Sequence, residues 1–149
     1  MSVRTLVKSI QDIMRKDAGV DGAAQRISQL GWMLFLKIFD EMEDEWETTK
    51  ENYKSPIRND LRWRNWAADE EGMTGDDLLD FVNNTMFPTL KNMKLRHNKD
   101  AARMVRDVFE DSYNYMKSGT LLRQVINKIN TDINLNTQAE RHAFNDIYE

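Results

Sequence analysis

The chain has 149 residues, the length of one domain, and 40% of them are hydrophobic against 31% charged, as in ordinary globular proteins. It contains no cysteine, so disulfide bridges, thiolate metal sites and thiol nucleophiles are excluded, and the reducing cytoplasm is the expected compartment. The formal net charge of −4 argues against a generally cationic nucleic-acid binder but allows a local basic face.

The first two helices are predicted from apolar residues at spacings of three and four. An apolar face that begins at Val3 and ends at Met14 predicts a helix over about 3–16. Residues 17–22 break this pattern, and Asp21 is placed to cap a second helix that continues to about Trp46.

The second helix, at about 22–46, contains the most apolar stretch of the chain, QLGWMLFLKIFD at 29–40. Its main apolar stripe, predicted to lie in the core, consists of Ile27, Leu30, Gly31, Leu34, Phe35 and Ile38. Because Trp32, Met33 and Leu36 occupy the other sides, the helix is apolar all round over two turns. Gly31 predicts that another helix crosses closely there. The apolar run is far shorter than the roughly 20 residues of a membrane span, so no membrane contact is expected.

A long structured loop is predicted at about 50–75, with Trp63 and Trp66 as its anchors in the core. Thr74 and Asp77 resemble a capping box, which predicts a helix over about 76–86 that stops before Pro88. Further helices are predicted at about 100–115, from about 119, and from Thr137. The expected fold is all-α, an irregular bundle of about five or six helices around the central helix, in one domain over 1–149.

No catalytic, metal or cofactor site is predicted in these 149 residues. Neither His97 nor His142 lies by a nucleophile motif, and no glycine pair forms the G-x-G of a phosphate-binding loop. The acidic run 40–47 has carboxylates at helical spacing but lacks the Glu-x-x-His pairs of bundle metal sites. We therefore interpret it as a solvated helix face, and a metal hydrolase as the weaker alternative.

Two segments are locally basic despite the negative net charge. Residues 91–106 hold six basic side chains against Asp100, and residues 54–64 hold four against Asp60. Such clusters contact nucleic-acid phosphates, and neighbouring aromatic rings can stack on bases. The candidates for phosphate contact are Arg58, Arg62, Arg64, Lys91, Lys94, Arg96, Lys99, Arg103 and Arg106. The alternative is a solvated basic face, with the tryptophans only fixing the loop.

Several strings resemble one protein family: DAGVDGAAQRI at 17–27 running into QLGWMLFLKIFDE at 29–41, LRWRNWA at 61–67, and FNDIYE at 144–149. They are similar to the N-terminal region of the modification (M) subunit of bacterial type I restriction-modification systems. The resemblance implies a helical domain followed by a catalytic domain that methylates adenine with S-adenosylmethionine. The cofactor motif and the Asn-Pro-Pro-Phe motif of that catalytic domain are absent here, so no family catalytic residue is carried over.

The resemblance also implies partners and a role. These are the chain's own catalytic domain after residue 149, a specificity subunit, a second M subunit, a restriction subunit and double-stranded DNA. The expected function is to help clamp DNA and contact these subunits. The alternative is a helical protein-interaction module that makes no DNA contact.

Overall fold

In the computed structural model, residues 3–132 are described, and every regular element within them is helical. The elements in chain order are α1 (Val3–Met14), α2 (Ala23–Thr49), a 3₁₀ turn (Asn59–Leu61), α3 (Trp63–Trp66), α4 (Gly75–Asp80), a π-helical segment (Phe81–Met86), α5 (Phe87–Lys91), α6 (Lys99–Glu110) and α7 (Gly119–Asp132). Since α4, the π-helical segment and α5 are continuous, residues 3–132 contain six helices. The predicted all-α bundle is confirmed. The helix predicted from Thr137 lies outside the described residues.

The central helix α2 buries a different side from the one that its main apolar stripe predicts. Leu30 and Leu34 are buried, but Ile27 is 39% exposed, and Phe35 and Ile38 are only partly covered. Besides Leu30, the largest fully buried side chains of α2 lie outside the stripe: Trp32, Met33, Leu36 and Phe39. The prediction for Ile27 is wrong because the helix is apolar on all sides, so its own pattern does not reveal where α5 and α6 pack. Trp32 lies against Phe87 of α5 and Phe109 of α6, with ring centroids 5.1 and 6.3 Å apart.

The close helix crossing predicted at Gly31 is also wrong. A Cβ atom placed on Gly31 would meet no atom within 4 Å. The close backbone approaches lie at other glycines instead. A Cβ atom on Gly19 would lie 1.9 Å from the carbonyl oxygen of Tyr115, and one on Gly119 would lie 1.8 Å from that of Gly75. The contact of Gly119 with Gly75 brings the starts of α7 and α4 together.

The helical run at 75–91 passes Pro88, although the sequence predicts that it stops there. Proline lacks an N–H donor, and its ring crowds the carbonyl group four residues before it in a regular α-helix. Here the π-helical segment Phe81–Met86 runs directly into α5, and Pro88 is the second residue of α5. The wider π turn therefore lets the chain continue to Lys91.

Helix α6 ends at Glu110, five residues before the predicted end. The segment 111–118 is held instead by a buried amide network. Gln29 Nε2 donates to Asn114 Oδ1 at 2.8 Å, and the backbone N–H of Tyr115 donates to Gln29 Oε1 at 2.7 Å. These tertiary hydrogen bonds replace the ones that a longer α6 would make within itself.

The helix caps differ from the predicted ones. Gly22, not Asp21, is the N-cap of α2, and its N–H donates to Gln25 Oε1 at 3.3 Å. Thr74 does occupy the N-cap of α4, but its side chain makes no capping hydrogen bond. The carboxylate of Asp17, which is 3% exposed, accepts hydrogen bonds from the backbone N–H groups of Gly19, Lys117 and Ser118. Asp17 therefore ties the α1–α2 turn to the start of α7.

Candidate nucleic-acid interface

The loop at 50–74 is more regular than predicted, since it contains the 3₁₀ turn and α3. Trp63 and Trp66 are 3% and 5% exposed, with ring centroids 5.5 Å apart. Trp63 Nε1 donates to Asn130 Oδ1 at 2.9 Å, and Trp66 Nε1 donates to the carbonyl oxygen of Leu61 at 3.0 Å. Both rings are buried between the loop and the helices, so neither presents a face on which a nucleic-acid base could stack.

Two of the candidate arginines in this loop bind the acidic face of α2. Arg62 lies 3.3 Å from Glu43 and makes a short contact with Glu47. Arg64 contacts Asp40 at 2.8 Å, Asp44 at 3.4 Å and Glu47 at 3.1 Å. The sequence-based interpretation of 40–47 as a solvated face holds for the exposed Asp44, Glu45 and Glu47. It is wrong for the buried Glu43, because the loop folds back and pairs with this side of α2.

The environment of this ion-pair cluster changes the titration of its members. Glu43 is fully buried and accepts a hydrogen bond from Tyr53 Oη at 2.6 Å. The hydrogen bond from Arg62, with a further one from Arg64, holds the pKa of Glu47 below its ordinary value. Burial, together with the hydrogen bond to Glu43, raises the pKa of Tyr53. Arg62 and Arg64 thus neutralise carboxylates and offer little free positive charge to a phosphate.

The remaining candidates differ in how their charge is used. Arg58 pairs with Asp60 at 2.6 Å, Arg103 with Asp100 at 3.7 Å, and Arg106 lies 4.0 Å from Glu110. Lys91 Nζ lies 5.7 Å from the ring centroid of Phe87. Three exposed candidates form no ion pair within residues 3–132: Lys94, Arg96 and Lys99. The free positive charge of the predicted set therefore lies on the loop before α6 and on the first residue of α6.

Two further lysines, absent from the predicted set, lie near this segment. Asn98 has a left-handed backbone (φ 48°), and its side-chain N–H donates to the carbonyl oxygen of Lys54 in a short hydrogen bond. This contact joins the turn after α2 to the loop before α6, and Lys50, Lys54 and Arg96 line one concavity there. In the sequence, the two lysines lie more than forty residues before Arg96, so only the fold reveals that they are its neighbours.

The part of the chain that the structure describes contains no cluster of three or more metal-binding side chains and no helix long and apolar enough to cross a membrane.

The chain belongs to the HsdM N-terminal domain family, whose profile matches residues 3–129. Its full length is 57% identical to part of the type I restriction enzyme EcoEI methylase subunit of Escherichia coli. Among solved structures, it superposes with a TM-score of 0.84 on a modification subunit ascribed to a type I restriction enzyme of Vibrio vulnificus YJ016, at 34% identity over 97% of this chain. A chain from a study of complex assembly and conformational transition in the type I restriction-modification system gives a TM-score of 0.80 at 28% identity over 98% of this chain.

These relatives are much longer than the present sequence. The chain spans 30% of the Escherichia coli subunit, and 33% and 28% of the two solved chains. The family thus shown is that of the HsdM N-terminal domain, and the chain matches only about a third of each of these relatives.

Proposed function

We propose that this domain helps a type I methyltransferase to hold DNA, by sequence-independent contact with the phosphate backbone, and that it contacts partner subunits. The observation that carries the DNA proposal is the row of exposed, unpaired cations Lys94, Arg96 and Lys99, which runs from the loop before α6 to the first residue of α6, with Lys91 at the end of α5. Cations without a protein partner lose little on binding phosphate and release counterions from the DNA. The acidic charge elsewhere limits stray binding.

In this proposal the chemistry lies outside the domain. The parent subunit methylates adenine with S-adenosylmethionine, and a specificity subunit reads the DNA sequence. The partners are the parent's own catalytic domain, the specificity subunit, a second M subunit and a restriction subunit, in the cytoplasm. The matches to a methylase subunit, to a modification subunit and to a chain from a study of type I complex assembly support this assignment.

Charge reversal in the assembled methyltransferase tests the DNA contact. We expect the triple variant Lys94→Glu, Arg96→Glu, Arg103→Glu to lower the affinity for duplex DNA and to reduce the slope of log K against log salt by about 2, or about one each for the unpaired Lys94 and Arg96, because Arg103 already pairs with Asp100. The measurement is fluorescence anisotropy with labelled duplex over a range of salt concentrations.

A matched control carries the same change of charge on α1 and the turn after it, through Arg4→Glu, Lys8→Glu and Lys16→Glu, all at exposed residues. This variant is expected to retain the salt slope. If the first triple variant retains both the affinity and the slope, the segment 94–103 is not a DNA surface, and the alternative of a protein-interaction module without DNA contact is favoured.

A further inference from the structure

An apolar cleft of about 390 Å³ lies between the C-terminal end of α2 and the N-terminal end of α6. Its lining includes four apolar side chains, Met42, Trp46, Ala101 and Met104, which we call its floor. Met104 is 39% exposed, one of few large apolar side chains so exposed in the described part of the chain. An accessible apolar side chain that lines a concave surface, rather than standing alone, is typical of a binding site.

The rim of this cleft is cationic. Lys50 and Lys99 line it directly, and the adjoining concavity, which shares Lys50, Tyr53 and Asn98 with it, adds Lys54 and Arg96. None of these four cations forms an ion pair within residues 3–132. Glu51 and Asp100 are the acids that line the two concavities. The rim therefore favours an anionic ligand.

The walls of the cleft are held in place by contacts that do not involve a ligand. The ring of Trp46 lies 5.8 Å from Phe39 and 5.9 Å from Tyr53, and the Tyr53 hydroxyl is fixed by its hydrogen bond to Glu43. Lys50 Nζ lies 4.9 Å from the Trp46 ring centroid, which positions this cation at the mouth of the cleft. Because these side chains are already fixed in the free protein, little conformational entropy is lost when a ligand binds to them.

The combination of floor and rim discriminates between two kinds of anionic partner. The DNA backbone would satisfy the lysines but presents no aliphatic or aromatic group to fill a floor of methionine and tryptophan. A protein segment with carboxylates beside an apolar side chain satisfies both, and methionine adapts to anchors of different shape. We propose that this cleft docks an acidic protein segment, supplied by another subunit, that carries one aliphatic or aromatic anchor. This inference rests on the subunit-contact part of the proposed function.

Selection from a display library of short random peptides against the 149-residue chain tests the proposal. The enriched peptides are expected to place two or more acidic residues next to an apolar residue. Their affinity should fall about tenfold on Met104→Asp and on Lys50→Glu, as for loss of an anchor or of a close charge pair. Two matched substitutions should leave it unchanged: Ile27→Asp, because Ile27 is also 39% exposed and lies outside the cleft, and Lys8→Glu on α1. Met104→Gln preserves the side-chain length and serves if Met104→Asp is poorly folded.

The proposal is overturned if no peptide is enriched, if the enriched peptides are not acidic, or if all these variants bind them equally. Duplex DNA binding to the same variants separates this inference from the DNA surface. If Met104→Asp weakens DNA binding instead of peptide binding, the cleft belongs to the DNA surface, and the peptide proposal fails while the DNA proposal stands. If the peptides bind as expected but the Lys94, Arg96, Arg103 triple variant retains DNA affinity, the DNA proposal fails and the cleft assignment stands.

Discussion

Arg123 shows how one buried side chain organises a loop that contains little regular structure. Its guanidinium group donates hydrogen bonds to the carbonyl oxygens of Trp66 (3.0 Å), Ala67 (3.1 Å), Asp69 (3.0 Å) and Met73 (2.7 Å), and the residue is 5% exposed. Burial lowers the pKa of Arg123, although an arginine remains protonated at neutral pH. The end of the loop is thus fixed to α7 by this planar donor group, and Asn127 and Asn130 of α7 add one hydrogen bond each, to the carbonyl oxygens of Glu70 and Ala67.

Replacing Arg123 by methionine keeps much of the side-chain volume but removes every donor. The free energy of unfolding is expected to fall by about 3 kcal/mol, since hydrogen bonds from a charged donor are lost and buried carbonyl groups are left without partners. Urea denaturation measures this change. Arg103→Met, at an exposed arginine of α6, is the control and should stay within about 0.5 kcal/mol of the parent. An equal effect of the two substitutions would contradict the role assigned to Arg123.

Even a conservative substitution of Asp17 is expected to lower the free energy of unfolding. Both of its carboxylate oxygens accept backbone N–H groups, at 2.8–3.1 Å. In Asp17→Asn, one oxygen becomes an NH₂ group that faces another donor, so the free energy of unfolding should fall by about 2 kcal/mol. Thermal unfolding followed by circular dichroism measures this, with Asp12→Asn on the exposed part of α1 as the comparison. Asp17→Asn with full stability would show that the turn does not depend on the carboxylate.

At the scale of whole elements, replacing a helix glycine by alanine is expected to have opposite effects on stability at Gly31 and at Gly119. Gly31 lies inside α2 with open space where a Cβ atom would be, so Gly31→Ala should stabilise the chain by about 1 kcal/mol through helix propensity. Gly119→Ala should destabilise it, because the added carbon would overlap the backbone of Gly75. Urea unfolding of the two variants under the same conditions tests both signs. Destabilisation by Gly31→Ala would instead indicate that another helix lies close to Gly31, as the sequence predicts.

The helix ends show where sequence reasoning fails. Positions and types of the main helices follow from apolar periodicity, which is local in the chain. The early end of α6 does not, because it depends on the hydrogen bond between Gln29 and Asn114, which are 85 residues apart. Passage through Pro88 likewise depends on a π turn that no single residue specifies. Local patterns predict that a helix forms, while contacts distant in sequence decide where it stops.

At the scale of the whole molecule, the fold determines which charged side chains form ion pairs and which remain free. Arg62 and Arg64 look free in the sequence, as do the carboxylates at 40–47, yet in the structure the two arginines pair with four of those carboxylates: Asp40, Glu43, Asp44 and Glu47. The candidate site was therefore only partly predictable. Counting charges finds the basic segment 91–106, but pairing in three dimensions decides that Lys94, Arg96 and Lys99 carry its free charge and that Lys50 and Lys54 lie nearby.

The cluster of Glu47 with Arg62 and Arg64 makes stability depend on pH in a defined direction. The pKa of Glu47 is lower in the folded chain than its ordinary value of 4.5. The contribution of its ion pairs to the free energy of unfolding is therefore fully present above that value. It is lost as the pH falls through the lower pKa of the folded chain. We expect Glu47→Gln to cost about 0.5 kcal/mol at pH 7, typical of a partly exposed ion pair, and nothing once the pH is well below the folded pKa.

Urea unfolding of the parent and of Glu47→Gln at a series of pH values measures this difference. Glu45→Gln is the matched control, since Glu45 is exposed and its carboxylate forms no ion pair within residues 3–132. A difference between the parent and Glu47→Gln that does not change with pH would contradict the assigned cause.

The four tryptophans differ in solvent exposure, and this should be visible in the quenching of their fluorescence. Trp32, Trp63 and Trp66 are at most 5% exposed, whereas Trp46 is only partly covered and lies beneath the ammonium group of Lys50. Fluorescence that a small quencher can reach should therefore come mostly from Trp46. Iodide, drawn to the lysine, should quench it more than caesium does, and the preference for the anion should weaken in Lys50→Glu. The chain thus carries its own spectroscopic reporter at the mouth of the cleft, sensitive to whatever occupies it.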